Sequence, residues 1–355
     1  MFSLFFSLLE NEEINGKNLI LRIKWNYLKG GVRRKMGEPQ KRLNPKVESR
    51  VNRILLSEAI KLLLSIVMLL SEKTGTKQYD YRHIIALCIL RILLRKTYAD
   101  YEIEMRTDPR ICKAFRMKIL PGKSTVQRGM ELINVNLLRE INLLLLRDIV
   151  KNRLNIIIDA SGIRIFARSI WFCLRIKKRI SKRECDKVHL AVSADLLLIL
   201  NWRITNGKRH DCPFFVILLN PFKWLGNVMA DKGYLSRKNF QFVFNRKGQA
   251  FIPFKKGKKK GSTASPKSHP AWKFAYLFWK TLNGIYMLFY HQRSRIEAVF
   301  SALKKRYGDK LNCSSASMRR KEMSLRLIAY NIRILLYAKY AEKNNLPLYI
   351  RVEKD

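Results

Sequence analysis

Acidic residues are scarce in this chain, 27 Asp and Glu against 71 Lys and Arg, so the few that end apolar runs stand out. Asp159 follows Ile156-Ile157-Ile158, Asp231 follows Val228-Met229-Ala230, and Glu297 lies inside a helical pattern from Met287 to Tyr307. Hard divalent ions choose carboxylate oxygens. In phosphoryl transfer such ions activate the attacking oxygen and stabilise the leaving one. The economical arrangement is one carboxylate at the end of a strand, a second on a neighbouring strand and a third on a helix facing both. Each acid also has an ordinary reading. Asp159 and Asp231 precede glycine-containing turns, and Arg293 with Glu297 makes a solvated i,i+4 pair. Helix geometry adds something at the third position. At about 100° per residue, Tyr290, Arg293, Glu297 and Lys304 share one polar stripe. The apolar stripe Ile296, Val299, Phe300, Leu303 and Tyr307 lies roughly a quarter-turn away, so the polar one borders the core.

Positioning such a set requires strands and a long helix, and the sequence supplies both. From Val51 to about Val150 the pattern is helical, with Leu/Ile-rich segments at Ile54–Leu70 and Ile84–Leu94. Pro121-Gly122 breaks it, and Ser124 or Thr125 is placed to cap the next helix. The character changes at Leu154. Ile156–Ile158 and Ile163–Ala167 read as two short β-branched runs, and Val188, Leu190 and Val192 alternate as a half-buried strand. Leu196–Thr205 is another strand. Asp211, just before Pro213, caps a helix over Phe214–Leu219. Ser236 caps Arg237–Phe244, and Ala250–Phe254 is a strand. Strands, then alternating helix and strand, then a long C-terminal helix describe an α/β domain with a mixed sheet. The expected organisation is a basic arm over 1–50, a helical DNA-binding region over 51–150, and a catalytic domain over 151–345.

The formal net charge is +44. Such self-repulsion calls for a polyanionic partner, and nucleic acid is the natural one. The basic tract near 255–270, with Lys255, Lys256, Lys258, Lys259 and Lys260, reads as an exposed loop that touches phosphates or is simply solvated. An anionic membrane is disfavoured. The longest uncharged apolar stretches, Met1–Leu9 and Leu62–Leu70, are about half the roughly 20 residues a spanning helix needs. Residues 1–9 also lack the basic start and cleavage site of a secretory signal. The six cysteines form no Cys-x-x-Cys pair and read as reduced thiols of a cytoplasmic protein. Cys185, His189, His210 and Cys212 have a spacing that fits no familiar zinc module.

Taken together, the motifs resemble those of the insertion-sequence transposases that carry an acidic DDE triad on a ribonuclease H-like fold. The branch it looks like has a third block reading Y-(2)-R-(3)-E-(6)-K, which Tyr290, Arg293, Glu297 and Lys304 match at every spacing. Ile156 to Gly162 matches the first block, and Ala230-Asp231-Lys232-Gly233-Tyr234 the second. Lys187 to Thr205, with Gly207, His210 and Asp211, matches the middle region. Asp108-Pro109 and Pro121 to Thr125 resemble the helical N-terminal part. The resemblance covers roughly residues 80–340, and the short interval from Asp231 to Glu297 leaves no room for a large β insertion. It implies a ribonuclease H-like mixed sheet flanked by helices, after an all-helical N-terminal domain. Asp159, Asp231 and Glu297 would be the catalytic metal ligands for Mg²⁺ or Mn²⁺, as two ions. Arg293 and Lys304 would lie along DNA phosphates and Tyr290 would help place the strand. The implied activity is cutting at the ends of a mobile element and joining the 3′-OH to target DNA. The implied partner is double-stranded DNA, bound by a homodimer in a nucleoid-associated setting. A nuclease on the same fold that does not join strands, or a non-catalytic DNA-binding relative, are the other readings.

Overall fold

The computed structural model describes residues 41–70, 79–151, 153–165, 185–254 and 269–351. These fall into two units. In the small one, β1 (Lys41–Leu43) pairs antiparallel with β8 (Tyr349–Arg351). Everything from Pro45 to Leu348 belongs to the other.

The larger unit begins with helices: α1 (Pro45–Val67), α2 (Tyr81–Leu93), α3 (Pro109–Ala114), α4 (Lys123–Leu132) and α5 (Val135–Leu145). Their starts follow from short polar side chains. Asp80, Asp108 and Asn134 each accept the backbone N–H two residues on, satisfying a donor that the first turn leaves free. Helix α4 corrects the expected cap. It starts at Lys123 with extended Gly122 at the N-cap, so Ser124 and Thr125 lie inside its first turn. The Pro121-Gly122 break lets the helix begin directly after it. Gly129 lies where α4 crosses α2. A Cβ there would come within 2.1 Å of the Ile84 side chain, so the crossing needs a residue without one.

A six-stranded mixed sheet comes next, with β2 (Leu154–Ile165), β3 (Cys185–Ser193), β4 (Ile199–Asn206), β5 (Leu225–Ala230), β6 (Gln249–Phe251) and the short β7 (Lys310–Leu311). The order is β4-β3-β2-β5-β6, with β7 beside the far end of β2. The first three strands are antiparallel, and β5, β6 and β7 run parallel to their neighbours. Helices α6 (Phe214–Leu219), α7 (Arg237–Asn245), α8 (Pro270–Thr281), α9 (Asn283–His291), α10 (Arg295–Tyr307) and α11 (Ala316–Lys343) complete the unit. The described residues thus form a mixed sheet flanked by helices, with a helical region before it, as the sequence pattern led one to expect.

Helix α11 is buried on nearly every side from Glu322 to Tyr337, because it packs on α1, α2, α5 and the β4 edge at once. Its polar residues are satisfied there. Asn331 donates to Asn142 Oδ1 and to the Ile199 carbonyl, both at 2.7 Å, and accepts the Ile199 N–H at 2.8 Å. The indole of Trp202 donates to Ser324 Oγ at 2.9 Å. The edge strand β4 is thereby covered instead of being left as an open template for pairing. The buried pair Glu322–Arg326 does similar work at the other end. Glu322 accepts the N–H groups of Asn312 and Cys313, and Arg326 donates to the carbonyls of Gly308 and Lys310. That fastens the turn between α10 and β7.

Candidate active site

The two strands read as ending at carboxylates are placed side by side by register. Ile158 on β2 pairs with Ala230 on β5, so the next residues, Asp159 and Asp231, stand at the same level on adjacent parallel strands. Such strands are about 4.8 Å apart. One expectation needs correction. Asp159 does not end a strand: β2 runs on unbroken through Ile165, because β3 pairs with it as far as Arg164. It is β5 that stops, which leaves the Asp159 side chain uncovered on that flank.

A second correction concerns the helix. The segment from Met287 to Tyr307 is interrupted, since α9 ends at His291, Gln292–Ser294 form a 3₁₀ turn, and α10 begins at Arg295. Ile296, Val299, Phe300 and Leu303 bury the inner face of α10. Glu297 sits in its first turn, where the helix dipole favours a carboxylate. Lys304 lies two turns further along the same helix.

The polar side chains of this segment converge on the strand acids. Arg293 Nη1 donates to Asp159 Oδ2 at 2.7 Å, and its Nη2 reaches Glu297 Oε1 at 3.5 Å. The Tyr290 hydroxyl donates to Asp231 Oδ1 at 3.4 Å. Lys304 Nζ donates to Ser161 Oγ at 3.1 Å. Ser161 is two residues beyond Asp159 and therefore on the same face of the sheet. Glu297 is the outlier of the set, with its side chain 66% exposed and joined to Asp159 only through Arg293. Among the described residues, no three acids, histidines or cysteines converge closely enough to hold an ion as they stand.

Charge explains why the guanidinium sits there. Burial raises the pKa of Asp159, its bonds with the Ala160 N–H and Arg293 oppose this, and the nearby charges of Asp231 and Asp211 raise it further. For Arg293 burial works against the charge, but Asp159, Tyr290, Asp231 and Glu297 outweigh it and its pKa is held above the ordinary value. The donor set facing this point is all oxygen, with more negative charge than one side chain can neutralise. A hard divalent cation fits that chemistry once Arg293 swings aside.

Some neighbours of the site were not anticipated. Asp211 has no capping role: Pro213 is the N-cap of α6, and no side chain caps the helix. The Asp211 carboxylate instead meets Lys187 Nζ at 2.6 Å and lies 3.5 Å from His189 Nδ1. His189 is fully buried, stacked on Phe214, with Nε2 3.0 Å from Thr205 Oγ1. Burial pushes its pKa down to about 4, against the pull of Asp211 and with help from Lys187. Tyr234 is buried too, its pKa raised by burial and then by Asp211, Asp159 and Asp231. Ser236 is the N-cap residue of α7 but makes no side-chain cap bond. Ser161 could have been found from strand periodicity, being at i+2 from Asp159. Asp211 gave no such signal, because its partners lie on β3, more than 20 residues earlier. The lysines at 255, 256, 258, 259 and 260 lie outside the described residues.

The family model described as a transposase DDE domain matches residues 152–332, about half of the chain. Among solved structures the chain is similar to a piggyBac transposase synaptic complex with hairpin DNA, determined by cryo-EM. The TM-score is 0.40 at 10% identity, covering 82% of this chain and 74% of that one. Comparison with curated proteins finds no match.

Proposed function

The chain belongs to the transposase DDE domain family, whose members act on DNA with divalent metal, and we propose that Asp159, Asp231 and Glu297 are its catalytic carboxylates. The observation that carries this is the register that sets Asp159 on β2 level with Asp231 just past the end of β5, facing the helix that bears Glu297. The ions proposed are Mg²⁺ or Mn²⁺, two of them. Metal bound there supplies a lowered water pKa and charge stabilisation at phosphorus. The residues of the chain do the rest. Asp159 and Asp231 give a fixed base of oxygen ligands on rigid strands, and Glu297, exposed at a helix start, closes over it. Arg293 leaves Asp159 for a DNA phosphate, which its planar fork can hold bidentately. Tyr290 and Lys304 flank the scissile strand, and the lysines at 255–260 together with residues 1–50 and 51–150 add phosphate contacts. The reaction is hydrolytic cutting at element ends followed by attack of the freed 3′-OH on target DNA, in a homodimer assembled on double-stranded DNA.

The test uses Asp159→Asn, Asp231→Asn and Glu297→Gln. Each is expected to abolish both cleavage of element-end DNA and strand transfer while DNA affinity stays within a few-fold. Cleavage retained by any one of the three removes that residue from the triad. Cutting by the unaltered chain without any joined product leaves a nuclease.

A further inference from the structure

A second concentration of charge lies on the other side of α10, away from the carboxylates. Arg306 and Tyr307 close that helix, Arg333 and Tyr337 stand on α11, and Glu48 and Asn52 face them from α1. Arg95, just past the end of α2, completes the group, its charge acting on Tyr307. Arg333 is buried at 4% exposure, yet among the described residues no carboxylate pairs with it. Its Nη2 donates to Asn52 Oδ1 at 2.5 Å and to the Tyr337 hydroxyl, which also donates to Asn52 Oδ1. Among the described residues, Arg306 Nε and the Tyr307 hydroxyl are buried without a hydrogen-bond partner.

Donor and acceptor counting makes this unusual. A guanidinium offers five N–H donors and no acceptor. The charges of Arg333, Arg306 and Arg95 all act on the Tyr307 phenol, and the Asn52 amide oxygen already accepts from Arg333 and Tyr337. The charge of Glu48 is felt by both Arg306 and Tyr337. Burial, then the neighbouring Arg333, hold the pKa of Arg306 below its usual value, and burial pushes Tyr307 up to about 12. Buried charges are ordinarily paired, since an unpaired one costs far more than a neutral group.

We propose that Arg306, Arg333 and Tyr307, with Arg95 at the rim, form a binding site for a phosphate group, either on a DNA backbone or as free phosphate. An oxyanion supplies several acceptors at once and matches the planar forks of the two arginines. The site is independent of the metal-ligand reading, though it shares α10 with it. A phosphate held there would tie α1 and α11 to the helix that carries Glu297 and Lys304.

The experiment measures thermal melting of the full chain in phosphate against chloride at matched ionic strength, for the unaltered protein and for Arg306→Gln, Tyr307→Phe and Arg147→Gln. The last removes an equal charge at an exposed position outside the cluster. Arg306→Gln is expected to fold, because it relieves repulsion from Arg333. The unaltered chain and Arg147→Gln should show a saturable phosphate-dependent rise in Tm. In Arg306→Gln the half-saturating phosphate concentration should increase about 10-fold or more, and in Tyr307→Phe a few-fold, as one charge-assisted and one neutral contact are lost. DNA titrations over a range of salt then separate the sources. A slope of log K on log salt that falls by about 0.9 in Arg306→Gln, beyond any change in Arg147→Gln, assigns a DNA phosphate. An unchanged slope with a shifted phosphate midpoint assigns the free anion. No phosphate-specific rise in the unaltered chain, or the same midpoint in Arg306→Gln, overturns the site.

Discussion

Arg293 is the residue whose removal separates the accounts of this site most sharply. It makes one strong contact, to Asp159 at 2.7 Å with both side chains 21% exposed, and one weak contact to exposed Glu297 at 3.5 Å. The weak one is a surface pair and is expected to contribute about 0.3–0.5 kcal/mol or less. The strong one is a charge-assisted bond in partial burial, and its loss leaves Asp159 desolvated beside Asp231. That places the cost of Arg293→Ala at roughly 1–2 kcal/mol in the absence of metal. For a chain of 355 residues that is a fall in Tm of about 1–3 °C. The charge has two further consequences. With the guanidinium gone, a divalent ion meets no internal competitor, so Mg²⁺ or Mn²⁺ should raise the Tm of Arg293→Ala more than that of the unaltered chain. Cleavage should nevertheless drop by about 100-fold or more, because the DNA phosphate loses its holder and the strand is misplaced. Arg293→Lys should not restore it, since a point charge cannot span Asp159 and a phosphate as the fork does. Melting curves with and without divalent metal, beside cleavage rates, are the assay. A variant that cleaves at near-unaltered rate and melts without any change in metal response would refute the reasoning, and Arg293–Glu297 would be a surface pair only.

DNA affinity should depend steeply on salt: a protein neutralising 6–10 phosphates loses about 10³–10⁵ in affinity between 50 and 200 mM, and a flat response would detach the +44 charge from DNA. Ser161→Ala frees the Lys304 ammonium from its 3.1 Å bond, so cleavage should fall several-fold while stability changes by about 1 kcal/mol or less; equal cleavage by Ser161→Ala and the unaltered chain would deny Lys304 a fixed position. His189 gives a pH signature. Its pKa is lowered from 6.5 to about 4 in the fold, so the unfolded chain binds the proton more readily. Stability is therefore full above pH 6.5 and is lost as pH falls toward 4, by about 2 kcal/mol at pH 5. Urea unfolding at pH 7 and pH 5 should show this loss shrink in His189→Gln, and an unaltered pH response there would place the acid sensitivity elsewhere.

The features legible in the sequence and those that were not divide by the range of the interactions. The helical region, the β-branched strands and the mixed α/β class came from local pattern, because burial on one face imposes a period of 2 or 3.6. The caps expected at Ser124 and Asp211 failed for different reasons: α4 begins ahead of Ser124, at Lys123, whereas the Asp211 side chain is engaged elsewhere. A short polar residue near a helix start can bond the first turn or something else. At Asp211 the competitors were Lys187 and His189 on β3, which no local window contains. Strand ends were ambiguous likewise: the continuity of β2 through Asp159 is set by pairing with β3, a strand that begins only at Cys185.

The third block is the instructive case. Its spacing was read as one face of one helix, yet no continuous helix delivers the four residues: Tyr290 and Arg293 reach the strand acids, Lys304 reaches Ser161, and Glu297 stays exposed beside Arg293. Tyr290 approaches Asp231 from α9, Arg293 approaches Asp159 from a 3₁₀ turn, and only Glu297 and Lys304 share α10. A 3₁₀ turn winds by about 120° per residue instead of about 100°, so three residues of it rotate the next helix by roughly 60° relative to an unbroken one. On a straight helix the apolar stripe of α10 and the polar stripe of α9 would have to serve the same register. The break relieves that constraint: α10 buries Ile296, Val299, Phe300 and Leu303 on the sheet while Tyr290 and Arg293 turn independently toward the acids. Tyr290 and Arg293 thus reach the strand acids from separate elements, and helical periodicity accounts only for the last interval of the motif, Glu297 to Lys304.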